Sequence, residues 1–121
     1  MAHILVIEDN PANMKLATFL LKQAGHEVLE AMDAEQGIQQ ARTHLPALIF
    51  MDMQLPGMDG MQATRVLRMD PETRDIKIVA LTAFAMSGDE EKFLAAGCDG
   101  YLAKPIRYQE FFKIIEKMLA A

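Results

Sequence analysis

Short apolar runs alternate with longer stretches of helical periodicity five times along this chain, and no other feature of the sequence restricts its fold as much. The runs, of which the second is the weakest, lie at residues 4–7, 27–31, 47–51, 76–81 and 101–103. The third is continuously apolar, which is typical of a strand covered on both faces. Strands that alternate with helices predict a parallel sheet with right-handed crossovers. The predicted fold class is therefore α/β, a (βα)5 doubly wound parallel five-stranded sheet.

The segments between the runs carry signals for the ends of helices. Asn10 offers an N-cap and Pro11 a first helical residue for the first helix. Ser87 and Glu90 are spaced as a capping box that would start the fourth helix, and Gly97 is the expected residue just after its end. These signals support five helices, one after each strand.

Length, charge and cysteine content limit the class of protein. The 121 residues fit one domain, 1–121, because no linker or repeat divides them. A net charge of -5 with scattered basic residues argues against a nucleic-acid partner. We expect no signal peptide, since residues 1–3 lead directly into an apolar run, and no apolar run approaches the roughly 20 residues of a membrane span. The single Cys98 is typical of a reducing compartment, so we expect a cytoplasmic protein without a membrane partner.

Polar side chains follow four of the five predicted strands. Glu8 and Asp9 come after the first strand, Asp52 after the third, Thr82 after the fourth and Lys104 after the fifth. Parallel strands all end at the same edge of the sheet, where such folds bind their ligands. The sequence therefore predicts a site formed by these five side chains.

The chemistry of the five side chains is consistent with phosphoryl transfer. Three carboxylates at close range raise at least one pKa unless a cation neutralises them. Magnesium (or manganese) suits such a site because it prefers oxygen ligands and is often held by carboxylates, waters and phosphate. A carboxylate such as Asp52 can attack phosphorus and form an acyl phosphate. The Lys104 ammonium and the Thr82 hydroxyl would then compensate the charge of the transferred group.

Each of these residues also has an ordinary explanation when it is considered alone. Asp9 could belong to the start of the first helix, and Asp52 could be a turn residue. Thr82 could simply end a strand, Lys104 could be a solvated surface lysine, and Tyr101 could be core packing with a wet hydroxyl. Only the joint placement of the strand-end groups favours the site.

The chain resembles the receiver domain of two-component response regulators, a CheY-like fold, over its whole length. The resemblance rests on the segments 6–10, 51–60, 81–83 and 101–105. Residues 82–86, 88–91 and 97–98 are most similar to DivK-like single-domain response regulators, and also resemble receivers attached to hybrid histidine kinases. The resemblance implies the flavodoxin-like strand order 2-1-3-4-5. In that order the fifth strand is about 10 Å from the third, so a side chain as long as Lys104 is needed to reach Asp52.

The resemblance implies a phosphoacceptor and a metal site. Asp52 would accept a phosphoryl group from a phosphohistidine on a histidine kinase or a histidine phosphotransfer protein. Asp9, Asp52 and the backbone carbonyl of Gln54 would bind Mg2+ (or Mn2+), and Glu8 would act on the metal through a water.

The resemblance also implies a switch beside the phosphoacceptor. Thr82 and Lys104 would hold the phosphoryl oxygens, and Ala83 is small, as the family requires beside the threonine. Tyr101 would turn inward when Thr82 moves toward the phosphate. The Lys104–Pro105 peptide bond is expected to be cis.

Two further groups of residues flank the expected site. The residues expected to contact the phosphodonor are Asn13, Met14, Pro105 and Ile106. Gln54 and Phe84 each stand two residues beyond a site residue, along the expected path of the attacking water. Both are expected to set the lifetime of the phosphoryl group, with Phe84 shielding it from hydrolysis.

These implications predict a phosphorylation switch and not a turnover enzyme. Because the chain ends soon after its last helix, we expect a single-domain response regulator, a monomer or weak dimer. Phosphorylation would change the face formed by the fourth helix, fifth strand and fifth helix, which would bind a downstream protein.

Alternatively, the chain is a receiver excised from a hybrid histidine kinase or a larger regulator. A magnesium-dependent phosphohydrolase is disfavoured because Gln54 stands where such enzymes usually carry a second acid, and the intact site disfavours a phosphate-independent scaffold.

Overall fold

The computed structural model describes residues 2–83 and 88–120, which form five strands and five helices in strict alternation. In chain order these are β1 (His3–Ile7), α1 (Pro11–Gln23), β2 (Glu27–Ala31), α2 (Ala34–His44), β3 (Leu48–Asp52), α3 (Gly60–Met69), β4 (Lys77–Thr82), α4 (Asp89–Ala96), β5 (Gly100–Ala103) and α5 (Tyr108–Ala120). None of the described helices is long and apolar enough to cross a bilayer.

The five strands form one parallel sheet in the order β2-β1-β3-β4-β5, so the predicted fold class and strand order are confirmed. Three pairs of neighbours show how the strands end level with one another. Ile7 lies beside Met51, Asp52 beside Leu81, and Thr82 beside Ala103. The residues at or just after the carboxyl ends of four strands are therefore brought to one edge of the sheet.

Helices cover both faces of the sheet and create two separate hydrophobic cores. Helices α2, α3 and α4 pack on one face, against side chains such as Ile49 and Met51. Helices α1 and α5 pack on the other face, where the rings of Phe50 and Phe111 have centroids 4.7 Å apart. Successive residues of β3 thus enter opposite cores, which explains why this strand is continuously apolar.

The helix starts match the sequence signals except at α4. The Asn10 side chain accepts hydrogen bonds from the backbone N–H groups of Ala12 and Asn13, as an N-cap does. Helix α4 begins at Asp89, and the residue at its N-cap position is Gly88, which makes no side-chain cap. The N-cap residue is thus Gly88 and not the predicted Ser87, which lies outside the described residues.

Arg68 of α3 connects three segments at the amino-terminal end of the sheet. Its guanidinium donates to the backbone carbonyls of Gly97, Arg74 and Ile76, at 2.8, 2.8 and 2.6 Å. It also pairs with the Asp99 carboxylate at 2.9 Å. These bonds hold the end of α4 and the start of β5 against α3.

Arg68→Met should lower the free energy of unfolding by about 3 kcal/mol, because the side chain is mostly buried and the carbonyls would lose a charged donor. Chemical denaturation measures this effect. Arg65→Met, an exposed position on the same helix, is the matched control and should change stability by less than about 0.5 kcal/mol. Equal effects of the two substitutions would contradict a structural role for the Arg68 contacts.

Candidate functional site

Side chains at or just after the ends of β1, β3 and β5 meet at the carboxyl edge of the sheet. Glu8 and Asp52 are each 1% exposed. The Lys104 ammonium reaches across from β5 and lies 2.7 Å from Glu8 Oε1 and 3.2 Å from Asp52 Oδ2. Lys104 therefore spans the distance past β4 that its length suggested, and it contacts carboxylates from two different strands.

Backbone groups orient the two buried carboxylates. The N–H of Gln54 donates to Asp52 Oδ1 at 2.9 Å, and the N–H of Asn10 donates to Glu8 Oε2 at 3.1 Å. The start of α3 packs directly on the end of β3, because a Cβ at Gly60 would collide with the Asp52 carbonyl oxygen and lie 2.9 Å from Met53 Cα. This close packing fixes the backbone on which the Asp52 carboxylate stands.

The acidic residues are arranged as a cation site. Glu8, Asp9 and Asp52 each offer one carboxylate oxygen, and these oxygens lie within 4.8 Å of one another. The buried Glu8 Oε1 has the Lys104 ammonium as its partner, at 2.7 Å. When all are ionised, three carboxylates against one ammonium leave two negative charges. An all-oxygen donor set with this charge fits a hard divalent cation such as magnesium.

Burial and crowding shift the pKa values of these groups. Burial, together with a hydrogen bond to Asp52, raises the pKa of Glu8 to about 7. Burial also opposes ionisation of Asp52, but hydrogen bonds to Glu8 and the Gln54 N–H and the charge of Lys104 outweigh it, so the pKa of Asp52 is lowered. For Lys104, burial is likewise outweighed by the two carboxylates, and its pKa is raised. At neutral pH without metal, Asp52 is therefore ionised, whereas Glu8 holds a proton in about half of the molecules.

Magnesium binding should depend on pH through Glu8. With a Glu8 pKa of about 7, the metal must displace a proton at lower pH, so its affinity should be about tenfold higher at pH 8 than at pH 6. Isothermal titration in buffers of different ionisation enthalpy measures both the affinity and the proton release. Glu8→Gln should flatten the profile between these two pH values, and an equally steep profile in that variant would contradict the assignment.

The same pKa gives the sign of the pH dependence of stability without metal. Folded Glu8 holds its proton more tightly than the unfolded side chain, whose pKa is 4.5. Its contribution to stability is therefore complete below about pH 4.5 and is lost as the pH rises through about 7. The lowered pKa of Asp52 acts in the opposite direction, but only in the acid range below 3.8. Chemical denaturation of the metal-free protein at several pH values between about 4.5 and 7 tests whether the contribution of Glu8 to stability falls as the pH rises.

Thr82 and Ala83 are joined to the loop after β3 by one side chain. Thr82 is fully buried, and its hydroxyl accepts a hydrogen bond from Gln54 Nε2 at 3.2 Å. The Ala83 N–H donates to Gln54 Oε1, also at 3.2 Å. The sequence suggested the backbone of Gln54 as a ligand, whereas this use of its side chain was not predicted.

Tyr101 and Pro105 lie on either side of Lys104 along the chain. The Tyr101 side chain is half-buried, and its ring centroid lies 6.4 Å from that of Phe93 on α4. The Lys104–Pro105 peptide bond is cis. Tyr101 is thus placed where its ring contacts the helix that follows Thr82 and Ala83.

The expected phosphodonor contacts differ in accessibility. Asn13 and Ile106 are half-buried and Pro105 is exposed, but Met14 is only 4% exposed and packs in the core beneath α1. Met14 therefore has little surface left for a partner. Phe84, the other residue expected to set the phosphoryl lifetime, lies outside the described residues.

Two exposed apolar side chains on α1 were not among the predicted site residues. Leu16 and Phe19 are 39% and 57% exposed. Both fall outside the buried stripe of the helix, which includes Met14 and Ala17. An apolar residue outside the stripe of an amphipathic helix was the signal in the sequence that could have identified them.

The fold and the acidic site define a class of protein, the receiver domains of two-component signalling. The sequence profile of the response regulator receiver domain matches residues 4–116, so the chain belongs to this family. It is 40% identical over 116 residues to the polar-differentiation response regulator DivK of Brucella anthropi, a match that covers 96% of this chain and 94% of that protein. DivK of Brucella ovis matches to the same extent.

Solved structures agree with this classification. The receiver domain of the sensor histidine kinase PA1611 from Pseudomonas aeruginosa superposes with a TM-score of 0.92 at 37% identity, covering 99% of this chain and 98% of that one. That structure has a magnesium ion coordinated in its active site cleft. The chemotaxis protein CheY4 of Vibrio cholerae superposes with a TM-score of 0.92 at 25% identity, covering 98% of this chain and 99% of that one.

Proposed function

We propose that this protein is a phosphorylation switch in which Asp52 accepts a phosphoryl group from a phosphohistidine. The observation that carries the proposal is the placement of a buried, ionised Asp52 between the Lys104 ammonium and two further carboxylates that suit a divalent cation. In the proposal residues 1–121 act as one receiver domain. The match over 94% of the length of DivK supports the comparison with a single-domain regulator.

The transfer requires a nucleophile, a leaving group and charge compensation. An Asp52 oxygen attacks phosphorus, the phosphorus–nitrogen bond of the donor breaks, and the imidazole nitrogen keeps the electron pair. Lys104, already in contact with Asp52, stabilises the negative charge on the transferred group. A magnesium ion held by Asp9, Asp52 and the Gln54 carbonyl, with Glu8 acting through a water, supplies further charge neutralisation when it is bound. Gln54 carries no carboxylate that could take a proton from an attacking water, which favours a stable acyl phosphate over turnover.

The acyl phosphate would change the conformational equilibrium of the domain. In the proposal Thr82, the Ala83 N–H and Lys104 bind the phosphoryl oxygens, and this favours the state in which Thr82 lies against the phosphate. Tyr101 then turns inward from its position beside Phe93. The face formed by α4, β5 and α5 is altered, and a downstream protein binds it.

The phosphodonor would dock beside the site on α1 and the loop after β5. Asn13, Pro105 and Ile106 flank the site, and the exposed Leu16 and Phe19 extend this surface along α1. The likeness to DivK and to the receiver of a sensor histidine kinase supports a histidine kinase or a histidine phosphotransfer protein as the donor. We place the exchange in the cytoplasm, where ATP is available to phosphorylate the donor histidine.

Incubation with acetyl phosphate and magnesium tests the proposal. Intact mass spectrometry should show one phosphoryl group per chain when magnesium is present and none when the metal is removed by a chelator. Turnover of generic phosphoesters would instead favour a hydrolase, and we expect none. A mass that does not change under any of these conditions would contradict the phosphoacceptor role.

A further inference from the structure

The side chain of Gln54 occupies the two polar groups that a phosphoryl group on Asp52 is expected to use. Its Nε2 donates to Thr82 Oγ1 and its Oε1 accepts from the Ala83 N–H, both at 3.2 Å. We propose that Gln54 is a latch, a side chain that holds Thr82 and Ala83 at the end of β4 in the position they occupy before phosphorylation. This inference rests on the proposed function and assigns a regulatory role to a side chain of the same site.

The orientation of the Gln54 amide follows from its partners. A backbone N–H can only donate, so the group that faces Ala83 must be the carbonyl oxygen of the amide. The amide nitrogen then faces the Thr82 hydroxyl, which accepts from it. A carboxamide of this length satisfies both partners at once, whereas an aliphatic side chain would satisfy neither.

The backbone of Gln54 links the latch to the phosphoacceptor. The Gln54 N–H donates to Asp52 Oδ1 at 2.9 Å. The residue whose backbone orients the nucleophile is therefore also the residue whose side chain is bonded to Thr82 and Ala83. The Ala83 N–H cannot donate to a phosphoryl oxygen while it is bonded to Gln54 Oε1. The Thr82 hydroxyl keeps its own proton as a donor, but its oxygen cannot move toward the phosphoryl group while Gln54 Nε2 is bonded to it. The two hydrogen bonds of the Gln54 side chain must therefore break before the phosphoryl group can bind Thr82 and Ala83.

Replacement of these bonds has a predictable cost. Neutral hydrogen bonds at an exposed side chain contribute little each, and the two together should weaken phosphoryl binding by about fivefold. Removing the latch should increase the affinity for a phosphoryl analogue by the same factor. If Gln54 instead contacted the phosphoryl group directly, removing its side chain would lower the affinity for the analogue.

The experiment compares the wild-type protein with Gln54→Met, which keeps the length of the side chain and removes its polar atoms. Binding of beryllofluoride, a non-hydrolysable phosphoryl analogue, is measured in the presence of magnesium by NMR titration. The variant should bind it about fivefold more tightly. Gln39→Met, at an exposed position on α2, is the matched control and should bind like the wild type.

Amide hydrogen exchange of the metal-free protein provides a second measurement. The Ala83 amide should exchange about fivefold faster in Gln54→Met than in the wild type, because its acceptor is gone. Unchanged exchange, or beryllofluoride binding that is unchanged or weaker in the variant, would overturn the latch. If the wild type itself bound no beryllofluoride, the proposed phosphoacceptor function would fail, which is a different result.

Discussion

Asp52→Asn is expected to abolish phosphorylation by acetyl phosphate, because an amide of the same shape cannot attack phosphorus. The substitution keeps the volume of a residue that is 1% exposed, so the fold should remain intact. It also removes one of the three carboxylates of the cation site, and magnesium binding should weaken. Intact mass measures the first effect and isothermal titration the second.

The matched control for Asp52→Asn is Asp75→Asn, an exposed position before β4. This variant should accept one phosphoryl group as the wild type does. A phosphoryl adduct on the Asp52→Asn protein at the wild-type level would show that another residue is the acceptor. Loss of the adduct in both variants would point to a general defect and not to a specific nucleophile.

Lys104→Met is expected to change phosphorylation and magnesium binding in opposite directions. Loss of the ammonium removes charge compensation for the transferred group, and phosphorylation should slow by about 100-fold. The same loss removes a cation that lies 2.7 Å from Glu8 and 3.2 Å from Asp52, so magnesium should bind more tightly. Rates from intact mass and affinities from isothermal titration separate the two effects.

The metal-free Lys104→Met protein should also be less stable. Loss of the Lys104 ammonium leaves buried carboxylates without their cation, which lowers the free energy of unfolding by about 3 kcal/mol. Magnesium should restore most of this loss, since it would neutralise the same charges. Lys113→Met, at an exposed position on α5, should change none of these quantities. Unchanged phosphorylation, or weaker magnesium binding in Lys104→Met, would contradict the role given to Lys104.

The fold was accessible from the sequence because each local signal agreed with the next. The continuous apolar run at 47–51 predicts a strand buried on both faces, and Ile49 and Phe50 indeed enter opposite cores. The strand order came only from the family resemblance, since periodicity alone does not say which strands are neighbours. The start of α4 lies one residue later than the sequence signal indicated, since Gly88, which carries no capping side chain, stands at the N-cap position.

The site was predicted at the level of which residues meet, but not at the level of which atoms bond. Parallel strand ends must share an edge, so Asp52 and Lys104 could be placed together from the sequence. The contact of Lys104 with Glu8 and the bridge from Gln54 to Thr82 depend on side-chain conformations in three loops. Those conformations result from packing across the whole sheet edge, which no local sequence pattern encodes.

The central claim is that a phosphoryl group is carried by the Asp52 carboxylate, and chemical trapping tests it most directly. Borohydride reduces an acyl phosphate of aspartate to homoserine, and peptide mass spectrometry then identifies the modified residue. After incubation with acetyl phosphate and magnesium, the modification should lie at Asp52 and should be absent when magnesium is withheld. Modification of a different residue, or none at Asp52 in a protein that has gained a phosphoryl group, would contradict the account.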